Sequence, residues 1–140
     1  MARYAENTTV SVDSSRGEIT GILAKHGVVR MGWWTDAEGD ALQFELKGGR
    51  YELRMTRPTM ADVRRMYPNA YDPAKKIDAE WRRRWRANVL LLKAKLEFAD
   101  GETSTVEREL MPYMLLKDGT TLGGAVLDGK VPLLAAGEKA

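Results

Sequence analysis

Between residues 41 and 56 apolar and polar residues alternate, which is the pattern of half-buried β-strands. Residues 41–47 and 50–56 each place three large apolar side chains on one face: Leu42, Phe44 and Leu46, then Tyr51, Leu53 and Met55. Gly48 and Gly49 lie between the two strands and predict a two-residue turn, since such turns need positive φ. That turn would pair Leu46 with Tyr51, Phe44 with Leu53 and Leu42 with Met55. The opposite face is polar.

Residues 72–100 have the apolar period of one long amphipathic helix. At about 100° per residue one stripe contains seven residues: Ala74, Ile77, Trp81, Trp85, Val89, Leu92 and Leu96. Asp72 is the expected N-cap, with Pro73 at the first helical position. Gly101 is expected to end the helix in a left-handed conformation.

Shorter patterns predict the remaining elements. A first helix is expected over residues 15–26, because Ser15 and Glu18 have capping-box spacing and Gly27 follows. Residues 28–35 are expected to form a strand that ends at an acidic turn, and residues 60–67 a short helix after a Thr59 cap. These helices and three consecutive strands define an α+β class, with the long helix packed on an antiparallel sheet.

The C-terminal third predicts a small appendage. Ser104 and Glu107 have capping-box spacing for a short helix that Pro112 disturbs. Residues 113–116 and 120–122 flank an Asp118-Gly119 turn and predict a small hairpin. Residues 1–12 are expected to be a polar arm and residues 123–140 a partly ordered tail of a single 1–140 domain.

Composition removes several classes of chemistry. The chain has no cysteine and a single histidine, His26, so thiolate chemistry is excluded and His-rich metal sites or Ser-His catalysis are not expected. No phosphate-binding loop, dinucleotide fingerprint or zinc-protease motif occurs. We therefore expect no enzyme activity, cofactor or metal. Because no signal-like or membrane-spanning apolar run is found, we expect cytoplasmic localisation and no membrane partner.

Charge is distributed unevenly along the chain. Residues 47–95 contain 14 Lys and Arg against 5 Asp and Glu, a net charge of +9, and both flanking segments are acidic. This clustering indicates an anionic partner, either nucleic acid or an acidic protein surface. The candidate nucleic-acid-binding residues are Arg64, Arg65, Lys75, Lys76, Arg82, Arg83, Arg86 and Lys93. The alternative interpretation is the solvated side of an amphipathic helix, whose arginine stems cover apolar surface.

Tryptophans occur in two pairs. Trp81 and Trp85 lie on the helical stripe, which favours core anchors over base-stacking platforms. Trp33 and Trp34 are adjacent in a strand and must point to opposite faces. One of them should therefore be exposed, where it can stack on a base, anchor a protein interface, or lie under a terminal segment.

Four segments together resemble a family of small uncharacterised proteins encoded by bacteriophages and prophages. They are YAENTTVSVDSSRGEITGILAKHGV, WRRRWRANVLLLKAKLEF, STVERELMPYMLLKDGTTLG and DGKVPLL. The chain departs from that family over residues 57–76 and in a shortened region before Asp128. The resemblance implies a phage origin and residence in the cytoplasm of a bacterial host; it implies no catalytic residue.

Two hypotheses follow from the sequence. The first is a non-enzymatic phage accessory protein that binds nucleic acid through a basic helix face. The second is a protein–protein interaction module that targets a host or phage protein, for host take-over or counter-defence. They differ in whether the basic residues of 64–86 converge on one exposed face.

Overall fold

Five α-helices and three β-strands make up a computed structural model that describes residues 5 and 7–140. The elements are α1 (Val12–Lys25), β1 (Arg30–Asp36), β2 (Gly39–Leu46), β3 (Gly49–Thr56), α2 (Met60–Met66), α3 (Pro73–Asp100), α4 (Val106–Glu109), a 3-10 turn (Met111–Tyr113) and α5 (Leu122–Leu127). The strands form one antiparallel sheet in the order β1-β2-β3. The predicted α+β class and the order of its elements are confirmed.

One face of the sheet packs with α1 and α3 to make the core. Leu42, Phe44 and Leu53 point into the same cluster as Trp85 and Leu92 of α3. The predicted stripe of α3 is confirmed from Trp81 onwards. Ala74 is exposed and Ile77 only partly buried, because the first two turns of α3 contribute nothing to this cluster.

The β2–β3 turn lies one residue earlier than predicted, which shifts the strand pairing by two residues. Leu46 pairs with Gly49, so Lys47 and Gly48 are the central turn residues, with φ of 49° and 81°. Phe44 consequently pairs with Tyr51, not with Leu53. Because side chains alternate with a period of two, a shift of two residues keeps every apolar side chain on the same face. The predicted face is right and the predicted register is wrong.

Several predicted helix ends are also corrected. Asp72 makes no side-chain cap hydrogen bond, and its φ of −128° and ψ of 88° depart from the extended geometry of the other caps. Gly101 has φ −76°, and the left-handed residue is Glu102 at φ 61°. Helix α1 is capped by Ser11, whose hydroxyl accepts from the Ser14 amide at 3.1 Å.

Near the C-terminus the short helix α4 is capped by Thr105, while the hydroxyl of Ser104 donates to Glu109 at 2.6 Å. The small hairpin is confirmed, since Leu116 donates its amide to the Thr120 carbonyl at 2.8 Å. It joins the β3 edge, where the Leu115 amide donates to the Arg50 carbonyl at 2.8 Å.

Helix α5 corrects the prediction of a partly ordered tail from residue 123. The side chain of Thr121 caps the helix by accepting from the Gly124 amide at 3.1 Å. The predicted polar arm falls in part on residues 1–4 and 6, which lie outside the described residues, and α1 already begins at Val12.

Candidate functional site

The arginines of α3 are largely engaged within the protein. Glu80 has no exposed surface, and the Arg83 guanidinium donates to both of its oxygens at 2.7–3.0 Å. Arg84 donates to the same carboxylate at 3.2 Å and to the Thr56 carbonyl at 2.8 Å, which fastens α3 to the end of β3. Burial raises the pKa of Glu80, but the hydrogen bonds and charges of the two arginines outweigh it and hold that pKa below its usual value.

Arg84 was absent from the predicted set although its spacing signalled its role. Glu80 lies three residues before Arg83 and four before Arg84, the separations at which helical side chains meet. Arg86 has a different partner, since it forms an ion pair with Glu18 and joins α3 to α1. Arg83 and Arg86 are thus held by internal carboxylates.

The other six predicted basic residues have few internal partners. Arg65 pairs with Asp62 at 3.1 Å, and the Lys76 ammonium lies 5.1 Å from the centre of the Tyr67 ring. The remaining four form no ion pair with any residue that the structure describes: Arg64, Lys75, Arg82 and Lys93. Lys75 and Lys93 are about 27 Å apart along the helix axis. At about 100° per residue one side of α3 carries four of the eight, Lys75, Arg82, Arg86 and Lys93, whereas Lys76 and Arg83 lie about a quarter-turn away and Arg64 and Arg65 belong to α2. The row of four is interrupted by Arg86, which is paired with Glu18.

The second candidate surface is the outer face of the sheet, opposite the core. Cross-strand pairing places three rows of residues there. From one end to the other the rows are Arg30–Glu45–Arg50, Gly32–Gln43–Glu52 and Trp34–Ala41–Arg54. Trp34 is 55% exposed, while Trp33 is half-buried and packs 5.5 Å from Trp85, centroid to centroid. The predicted division of this tryptophan pair between two faces is confirmed.

Trp34 leans along its own strand over Gly32. A Cβ atom at Gly32 would lie 2.8 Å from the indole Cη2 and 3.0 Å from Cζ3, closer than a side chain tolerates. Glycine at this position therefore leaves the space that the indole occupies. The result is an aromatic side chain lying along an open β-sheet with more than half of its surface in solvent.

Polar groups surround this indole on the outer face. A shallow depression of about 220 Å³ on one side is lined by Arg30, Gln43 and Arg50, and another of about 280 Å³ on the other side is lined by Gln43 and Arg54. Arg50 pairs with Glu45 at 2.5 Å. The hydrogen bond from Arg50 and the charge of Arg30 lower the pKa of Glu45, so that carboxyl is ionised at neutral pH. Arg54 lies 3.7 Å from Glu52, so positive and negative groups are interspersed.

On the core side of the sheet, Arg16 of α1 contacts residues of both β1 and β2. Its guanidinium lies 5.0 Å from the Trp33 ring centre and 5.1 Å from that of Trp85, and it pairs with the buried Asp40 at 2.9 Å. Arg16 was not among the predicted residues, because nothing in its local pattern indicates contacts with residues that are distant along the chain.

No protein-family model, curated protein or solved structure matches the chain. Within the described residues, no group of three or more His, Asp or Glu side chains is placed to hold a metal ion. The same residues include no helix with both the length and the apolar character needed to cross a membrane.

Proposed function

We propose that the protein binds single-stranded nucleic acid across the outer face of the sheet, with Trp34 as the stacking platform. The observation that carries the proposal is the exposed indole lying over Gly32, flanked by arginines and an amide side chain. Unpaired bases stack on aromatic side chains of open β-sheets, where each stacked base contributes about 1–3 kcal/mol.

The flanking groups suit an extended strand. Arg30, Arg50 and Arg54 can donate to phosphates on either side of the stacked base, and Gln43 can donate to or accept from a base edge. Because Glu45 and Glu52 lie among these arginines, few phosphates would be neutralised. Stacking then supplies a larger share of the affinity than charge does.

This proposal keeps the nucleic-acid hypothesis but moves it from α3 to the sheet. Arg83 and Arg86 are held by Glu80 and Glu18, so a phosphate backbone would have to compete with internal carboxylates for them. A phage origin, which the sequence resemblance implies, agrees with such a role, since phage accessory proteins commonly act in DNA metabolism.

The test is the affinity of a labelled 12-nucleotide single strand, measured by fluorescence anisotropy. Loss of one stacked base should weaken binding of Trp34→Ala by about 5- to 150-fold. Tyr71→Ala is the matched control, because it removes a fully exposed aromatic side chain away from the sheet face and should leave affinity unchanged. Two or three phosphate contacts predict a log–log salt slope of about −1.4 to −2.1.

Equal affinities of the wild type and Trp34→Ala would contradict the proposal. So would an absence of binding at about 50 mM salt, where phosphate contacts are strong.

The second candidate is a protein–protein interaction module. It is favoured by an apolar depression of about 500 Å³ on the C-terminal appendage, between Met111, Pro112, Leu122 and Val126, with Leu127 at its rim. Apolar surface of this kind commonly marks a protein-binding site.

A further inference from the structure

Strand β1 is an open edge of the sheet, since it pairs with β2 on one side and with no other described strand. Leu46 and Gly49 close the two-residue β2–β3 turn as a hydrogen-bonded pair, and such pairs alternate along an antiparallel ladder. Every second residue of β2 from Glu45 therefore bonds to β1, beginning with Arg30. The backbone groups that point away from β2 belong to Met31, Trp33 and Thr35. Among the described residues nothing outside the sheet hydrogen-bonds to these three N–H and three C=O groups.

The sequence of β1 does not protect this edge. Exposed edges usually carry a proline, an inward-pointing charge or a covering segment. Residues 31–35 contain no proline and no charged residue. The β3 edge, by contrast, is covered at Arg50, whose carbonyl accepts from the Leu115 amide of the C-terminal hairpin at 2.8 Å. A row of unpaired main-chain groups is complementary to another extended strand, which supplies donors and acceptors at the same spacing.

We propose that the strand that completes this edge is β1 of a second copy of the chain, paired antiparallel about a two-fold axis at Trp33. In this register Trp33 faces Trp33 of the second copy, and Met31 faces its Thr35. All three residues with outward-pointing backbone groups then face one another and form six main-chain hydrogen bonds. A shift of one residue would place these groups opposite residues whose own groups point towards β2, and the bonds would be lost.

The outer-face side chains of β1 are complementary in the same register. Gly32 faces Trp34 of the second copy, so no side chain opposes the indole. Arg30 faces Asp36 of the second copy, and the two-fold axis repeats this pair of opposite charges. Both are non-hydrogen-bonded positions, where the Cα atoms are about 4.5 Å apart and side chains approach most closely.

The two charged groups are available for this contact. Arg30 and Asp36 are exposed, and neither forms an ion pair with a residue that the structure describes. Glu45, the neighbour of Arg30 on β2, is paired with Arg50 at 2.5 Å. One oxygen of Asp36 accepts from two turn amides at 2.8 and 3.1 Å, which leaves the other oxygen for an arginine. A parallel pair would instead place Arg30 opposite Arg30, so charge favours the antiparallel orientation.

Sedimentation equilibrium of the full chain, without nucleic acid, tests the association. A single strand edge is smaller than a permanent interface, so the concentration should extend from about 10 μM to about 1 mM. Over this range the weight-average mass should rise towards that of a dimer. Thr35→Pro should keep the protein monomeric, because it removes an N–H that points to the open edge, a place where folded sheets accept proline.

Charge reversal tests the same interface without changing the backbone. Arg30→Glu places like charges opposite each other at both ends and should weaken association by at least about tenfold. Arg64→Glu is the matched control, because it makes the same change at an exposed arginine of α2 and should not alter the mass. A wild type that is monomeric at about 1 mM would overturn the proposal, as would an Arg30→Glu variant that associates like the wild type.

Disulfide formation measures the orientation and the register. Since the chain has no cysteine, Arg30→Cys and Asp36→Cys each introduce a single thiol. An equimolar mixture of the two variants should form a disulfide-linked dimer on mild oxidation, because the facing Cα atoms are about 4.5 Å apart. Either variant alone should not, since six residues of strand separate its two thiols by about 20 Å. Cross-linking of each variant with itself, and not in the mixture, would contradict the antiparallel pair. Neither experiment contains nucleic acid, so its failure would leave the proposed function untouched.

Discussion

Removal of the Glu80 carboxylate should destabilise the fold strongly. The side chain is fully buried, and it accepts from Arg83 at 2.7–3.0 Å and from Arg84 at 3.2 Å. Removing one partner of a buried ion pair typically costs about 3–5 kcal/mol, because the remaining charge loses its partner. The side chains of Arg83 and Arg84 are 18% and 22% exposed, so water replaces part of the lost interaction. We therefore expect the lower end of that range, about 3 kcal/mol, for Glu80→Ala.

Thermal and urea unfolding followed by circular dichroism measure this loss. For a chain of this length about 3 kcal/mol corresponds to a fall in Tm of about 10 °C. Asp78→Ala is the matched control, since it removes an exposed carboxylate two residues earlier in the same helix, and its Tm should stay close to that of the wild type.

The pH dependence has a defined sign. Because the folded-state pKa of Glu80 lies below its usual value, its stabilisation is fully present above the ordinary carboxyl pKa. It is lost as pH falls through the lower folded pKa, so the difference between wild type and Glu80→Ala should shrink in acid. A Glu80→Ala variant that melts within about 2 °C of the wild type at pH 7 would refute this account of the arginine cluster.

Three further substitutions test the core and the hairpin. Trp85→Ala should lower the free energy of unfolding by about 3–5 kcal/mol, because Trp85 is fully buried and packs against Trp33 and Trp81. An unchanged urea midpoint would contradict the position of Trp85 at the centre of the core. Gly48→Val should lower the free energy of unfolding by about 1–2 kcal/mol, because the φ of 81° at this position is unfavourable for valine. Lys47→Asn is the control: it should be neutral or slightly stabilising, since asparagine suits that position of a type I′ turn. Equal urea midpoints for Gly48→Val and the wild type would show that Gly48 does not occupy the left-handed turn position.

The sequence predicted the faces of the main elements more securely than their ends. The apolar face of β2 and β3 follows from a period of two, which a register shift of two residues does not change. Two adjacent glycines allow the turn at either of two places, and only the packed sheet selects Lys47-Gly48. Helix α5 was missed because Gly123 and Gly124 disfavour a helix by about 1 kcal/mol each. The Thr121 cap and the burial of Ala125 offset that cost.

The candidate sites were less predictable, because they depend on contacts between distant segments. The charge of residues 47–95 indicated an anionic partner, but it could not show that Arg86 meets Glu18, 68 positions earlier in the chain. Adjacent Trp33 and Trp34 correctly predicted one exposed indole. The position of the exposed indole over Gly32 depends on the side-chain rotamer of Trp34, which the spacing of residues does not determine.

The most direct test of the proposed function is the location of the bound strand. Ultraviolet cross-linking of a single-stranded oligonucleotide, followed by mass spectrometry of the digested complex, identifies the residues that contact its bases. Binding on the sheet predicts cross-links concentrated at Trp34, with Trp34→Ala removing them and Tyr71→Ala leaving them in place. Cross-links confined to residues 75–93 of α3 would contradict the sheet-face account and return the site to the basic side of that helix.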